Sequence, residues 1–202
     1  MVVNHLAALL KNMATLIAKY NTVVRGQRTI AYPFKTYDTI FGDTTDVPPN
    51  LRLLMSYLRW AFVNEIPERA ATVTSAPQLV VDTQHARNDR LNRLAELSGY
   101  QGQGNKQHDV LQALFLKESQ YCIATELPVY DDEYTGRIDI LEYFPEDDTI
   151  GLWDFKPNAA AERKAASQLL RYVTMLSALT KINHRDIKAG YFDEKNTYNL
   201  VY

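Results

Sequence analysis

Two stretches decide the fold: Gly136-Arg137-Ile138-Asp139-Ile140-Leu141 and Ile150-Gly151-Leu152-Trp153-Asp154-Phe155-Lys156. Both are apolar and rich in β-branched or aromatic residues, so each predicts a strand. Phe144-Pro145-Glu146-Asp147-Asp148-Thr149 between them reads as a hairpin loop. A hairpin turning between Glu146 and Asp147 sets Asp139 opposite Asp154, and cross-strand neighbours have Cβ atoms about 4.5–5.5 Å apart. A carboxylate in an apolar strand is costly without a partner or a metal. Two carboxylates that close repel unless one is protonated or a cation lies between them, and such oxygen donors suit Mg²⁺ or Mn²⁺. Lys156 leaves the same strand face as Asp154, where its ammonium could orient a water or stabilise charge on a phosphate. The same spacing also fits a structural ion pair between Lys156 and the acids. Acid-x-Lys alone means little, because Glu162/Lys164, Asp186/Lys188 and Asp193/Lys195 repeat it where charges are merely solvated. Only the Asp154/Lys156 triplet lies in an apolar strand next to a second acid-bearing strand.

Outward from this hairpin, a strand is expected over 121–130 and a short helix over 105–118. A long helix is expected over 159–181, and two closing strands over 187–192 and 197–202. The order α-β-β-β-α-β-β predicts an α/β fold with a central mixed sheet flanked by helices. The first hundred residues read as mostly helical. Leu6, Leu9, Leu10, Met13, Leu16, Ile17 and Tyr20 recur at helical spacing. Residues 21–50 read mainly as loop, Pro48-Pro49 opens a second helix through Phe62, and a third is expected from Thr83 to Ser98, closed by Gly99. The expected division is a helical amino-terminal region, 1–103, and a core, 104–202.

At 202 residues and 46% hydrophobic, the chain can bury a real core, so a fully disordered chain is excluded. Lys and Arg total 22 against 24 Asp and Glu, which excludes a histone-like basic protein but not a local basic face. The single cysteine, Cys122, excludes an internal disulfide and an all-cysteine metal site. The Leu6–Leu10 run is broken by Lys11 and Asn12, so neither a secretory core nor a membrane span is expected, and the expected location is cytoplasmic.

Gly104-x-x-x-His108-x-x-Leu111, Glu126-Leu127-Pro128, Gly136-Arg137-Ile138-Asp139, Trp153-Asp154-Phe155-Lys156 and Gln168-x-x-x-Tyr172 follow one another in order. Together, over residues 104–202, they resemble the RecB-type branch of the PD-(D/E)XK nuclease superfamily. The resemblance implies a restriction-endonuclease-like core and a Mg²⁺- or Mn²⁺-dependent deoxyribonuclease. It implies His108, Asp139 and Asp154 as metal ligands, with the Phe155 carbonyl and, at a frequent acidic position, Glu126. Lys156 matches the catalytic lysine, and Gln168 and Tyr172 match the helix motif beside the active site. Glu118 is the fallback acid if His108 points elsewhere.

The implied substrate is DNA, cut by an exonuclease or a structure-selective endonuclease in replication, recombination or repair. A restriction-type endonuclease and a non-catalytic nucleic-acid-binding module that kept the fold are the alternatives. One cysteine cannot build the iron–sulfur cluster of some relatives, and no Gly-Lys-Ser/Thr phosphate loop appears, so a helicase would be a separate partner. Self-association into a homo-oligomer stays open. Arg87, Arg90 and Arg93, three apart, form a candidate cationic stripe for DNA, and a solvated helix face reads equally well.

Overall fold

The computed structural model describes residues 17–24, 28–35, 47–63, 71–102 and 105–202. Its sheet begins with β1 (Ile17–Val24) and β2 (Arg28–Lys35). These are followed by helix α1 (Pro49–Val63), β3 (Ala71–Thr72), β4 (Asp82–Ala86) and α2 (Asp89–Gln101). Then come α3 (Asn105–Glu118), β5 (Cys122–Tyr130), β6 (Tyr134–Phe144) and β7 (Thr149–Phe155). The chain closes with α4 (Ala165–Thr180), β8 (Ile187–Phe192) and β9 (Thr197–Val201).

The strands form one mixed sheet in the order β1-β2-β5-β6-β7-β8-β9-β4, with β3 paired to β6. The β7–β8 and β3–β6 pairs are parallel and the others antiparallel. The β7–β8 crossover runs through α4, as a parallel connection requires. Strand β7 is buried along its whole length, the mark of a central strand covered on both faces. Its alternation divides the core. Leu152 packs with α1 and α4, whereas Trp153 and Phe155 pack with Leu91 and Leu94 of α2 and Leu111 and Phe115 of α3. Among the described residues no helix is long and apolar enough to cross a membrane.

The hairpin register is the one the sequence predicts. Pairs run from Phe144↔Thr149 to Ile140↔Trp153, so the next step sets Asp139 against Asp154. The amino-terminal half differs from its expectation. The predicted first helix lies outside the described residues up to Leu16. Ile17 to Tyr20 belong to β1, and β2 crosses the expected loop. Tyr20, Thr22 and Val23 pair with Tyr32, Ile30 and Thr29 in that ladder, β-branched and aromatic residues that favour a pleated surface. The third helix starts later than expected. Thr83 lies in β4, paired to Leu200 of β9, and the helix begins only after Asn88, whose side chain accepts from the Leu91 amide as an N-cap. Gly99 is inside this helix, which ends instead at Gly102. Strands from both sides of residue 103 share the sheet, and Asn92 of α2 donates to the Asp193 carbonyl at 2.8 Å.

Candidate metal centre

The register places three acids in a row across three adjacent strands. Thr125↔Ile140 and Leu127↔Ile138 bracket Glu126 and Asp139, and Asp154 follows on β7. Glu126 interrupts the β5 ladder with φ of 54°, a left-handed conformation that costs a non-glycine residue about 1–2 kcal/mol. That distortion sits at the acid row. Helix α3 brings His108 to the same place: its Nε2 lies 2.9 Å from Asp139 Oδ2. One candidate ligand atom from each of His108, Glu126 and Asp139 lies within 4.8 Å of the others, close enough to share one cation. Glu118 sits ten residues further along α3, about 15 Å at helical rise, and pairs with Lys117 at 3.3 Å.

Asp154 adjoins this group without belonging to it. It is buried, and Lys156 Nζ stands 2.8 Å from its Oδ2 as an ion pair. Phe155 contributes through its amide, which donates to Asp139 Oδ2 at 3.3 Å.

The electrostatics follow from burial and crowding. Burial, then the neighbouring Asp139 charge, pushes Asp154 well above the usual carboxylate range. Burial would raise Asp139 too, but the His108 hydrogen bond, with help from Asp154 and Lys156, brings it below that range. Burial and Asp139 raise Glu126. The hydrogen bond to Asp139 outweighs burial and raises His108. Burial lowers and Asp154 raises Lys156, the second effect winning. The three acids crowd together among Lys156, His108 and the Arg137 guanidinium, and a cation between the carboxylates would relieve their mutual repulsion.

Helix α4 brings the remaining pair. Gln168 Nε2 donates to Tyr172 Oη at 2.7 Å, and that oxygen also accepts from the Arg137 amide at 3.4 Å. Burial, opposed by the Gln168 hydrogen bond and reinforced by Asp154, pushes the Tyr172 phenol up to about 12. The hydroxyl therefore stays protonated. A Cβ on Gly136 would lie 2.2 Å from Tyr172 Cε1, so the glycine is what lets the ring rest on β6.

The three arginines have different settings. Arg87 is exposed before α2 and bonds Asp89 at 2.6 Å. Arg93 is exposed on α2. Arg90 instead turns to the sheet and pairs with the buried Glu142. Two residues absent from the sequence-derived site join it: Gln112, one turn after His108 on the same helix face, and Arg137, whose guanidinium is 3.8 Å from Glu126 Oε2. The spacing of four from His108 was the available signal for Gln112. No family model, no curated protein and no solved structure matches the chain.

The crowding of Asp154 gives one expected outcome. Asp154→Asn removes a buried anion and leaves Asp139 to balance Lys156. The metal-free variant should therefore be more stable than wild type by about 0.5–2 kcal/mol, as relieved site strain commonly gives. The stabilisation that Mn²⁺ adds should shrink. Thermal melts at pH 8 with chelator and with Mn²⁺ check both, and a variant less stable in chelator would refute the charge argument.

Proposed function

We propose that the chain is a metal-dependent deoxyribonuclease with a PD-(D/E)XK-type core, acting in the cytoplasm as an exonuclease or a structure-selective endonuclease. The observation that carries it is the meeting of His108, Glu126 and Asp139 from α3, β5 and β6 beside the Asp154–Lys156 pair. The donor set fits a divalent cation: two carboxylates and one imidazole, converging next to the buried Asp154, which is paired to Lys156. A cation held by His108, Glu126 and Asp139 would supply Lewis-acid stabilisation and a water acidic enough to ionise near neutral pH. The chain's own groups do the rest. Lys156 offers an ammonium to charge developing on a phosphate oxygen. Tyr172, fixed by Gln168 and the Arg137 amide, offers a hydroxyl that stays a donor. Asp154 holds Lys156 in place through its ion pair.

Labelled single- and double-stranded DNA incubated with Mg²⁺, Mn²⁺ or chelator tests this. Cleavage is expected with either ion and none with chelator. The imidazole donor shifts preference towards Mn²⁺, so tighter binding and faster cleavage are expected with Mn²⁺ than with Mg²⁺. Binding of DNA without cleavage under every condition would refute the enzyme and leave a nucleic-acid-binding module.

A further inference from the structure

Gln112 holds two of the three candidate ligands at once. Its Nε2 donates to Glu126 Oε1 at 2.5 Å and lies 3.1 Å from His108 Nδ1. We propose that Gln112 is the positioning residue of the centre: the orientation of its amide selects which ring nitrogen of His108 carries the proton and whether Glu126 is free to ligate. This inference rests on the metal-dependent reading above.

The argument is one of donors and acceptors. An ionised carboxylate only accepts, so the amide nitrogen must face Glu126. The same nitrogen then meets His108 Nδ1, which must accept, and the neutral ring carries its proton on Nε2. That proton points to Asp139 Oδ2, 2.9 Å away. In this tautomer Nε2 has no lone pair to give, although it is the nitrogen that faces Asp139. For Nε2 to act as a ligand it must lose its proton to solvent while Nδ1 gains one. Nδ1–H then needs an acceptor, and the group in reach is the Gln112 oxygen, presented when the amide turns over. Turning it withdraws the N–H from Glu126. One amide rotation thus readies His108 and releases Glu126 together. Gln112 is half-buried on a regular helix, one turn from His108, so its stem is fixed while its amide can rotate. Outer partners that fix the tautomer of a ligating histidine are a general requirement of such sites.

Two variants separate this role from simple packing. Gln112→Met keeps the length and removes the hydrogen bonds. Gln112→Glu can only accept. Calorimetric titration of Mn²⁺ should show Gln112→Met binding about 10–100-fold more weakly than wild type, and Gln112→Glu binding no more weakly. Nitrogen-15 spectra of the metal-free proteins, at a pH where the ring is neutral, should show Nε2–H in wild type and Nδ1–H in Gln112→Glu. Wild-type affinity in Gln112→Met, or the same tautomer in wild type and Gln112→Glu, overturns the role of Gln112 and leaves the centre standing. Failure of wild type to bind Mn²⁺ sinks the metal reading instead; the metal-free tautomer comparison then decides by itself whether Gln112 governs the ring.

Discussion

Lys156→Ala is expected to reduce DNA cleavage by a factor of about 10²–10³ or more, the usual loss when one preorganised charge-stabilising donor is removed. Folding should change far less, by about 1 kcal/mol. Lys156 stands at the end of β7, where its backbone N–H donates to the Phe192 carbonyl at 2.9 Å, and alanine keeps that bond. Its ammonium is what disappears, and with it the counter-charge of Asp154. Burial and Asp139 already push the Asp154 carboxyl upwards, so the acid can take a proton rather than stand charged and unpaired. The loss therefore falls on chemistry and little on stability. Cleavage rates and melting temperature, measured side by side, check this. An alanine variant that cuts at the wild-type rate would sink the proposed role and the nuclease reading with it.

The centre was legible where local rules govern it. The turn between Glu146 and Asp147 sets the β6–β7 register, and register alone sets Asp139 against Asp154. His108 was placed by motif resemblance, and a short amphipathic helix delivers it. Glu126 could be placed opposite Asp139 once the β5–β6 turn was known, but its left-handed backbone has no sequence signal of the kind a glycine gives. Elements that depend on distant partners were misread. The Leu6–Tyr20 spacing fits a helix, yet Ile17 and Tyr20 pair with Lys35 and Tyr32 of β2, outside the stretch that spacing covers. Thr83 to Ala86 looked like the start of a helix because their pairing with β9 lies more than a hundred residues away. Gln112 escaped because its importance lies in bridging His108, on its own helix, to Glu126 on strand β5.

Arg90→Met is expected to destabilise the fold by about 3–5 kcal/mol, because it strands a buried carboxylate. Glu142 is fully buried on β6. Its oxygens accept from both Arg90 terminal nitrogens, from Ser119 Oγ at 2.8 Å and from Trp153 Nε1 at 2.8 Å. Ser119 and Trp153 are neutral donors, so without Arg90 the anion keeps hydrogen bonds but loses its counter-charge. In a domain of this size the cost corresponds to a fall in melting temperature of roughly 6–20 °C. Arg90→Met combined with Glu142→Leu should recover part of it, since the buried charge is then gone, though the Trp153 N–H loses its acceptor. Arg93→Met supplies the contrast on the same helix. Its side chain is exposed, so its removal should change stability by less than about 0.5 kcal/mol. If Arg93 instead contacts a phosphate, DNA affinity should fall and the salt dependence of binding should flatten by about one counter-ion. Denaturant melts and salt-dependent DNA titrations on the two variants divide the stripe. A stable Arg90→Met protein with weakened DNA binding would show that Arg90 serves the phosphate and not Glu142.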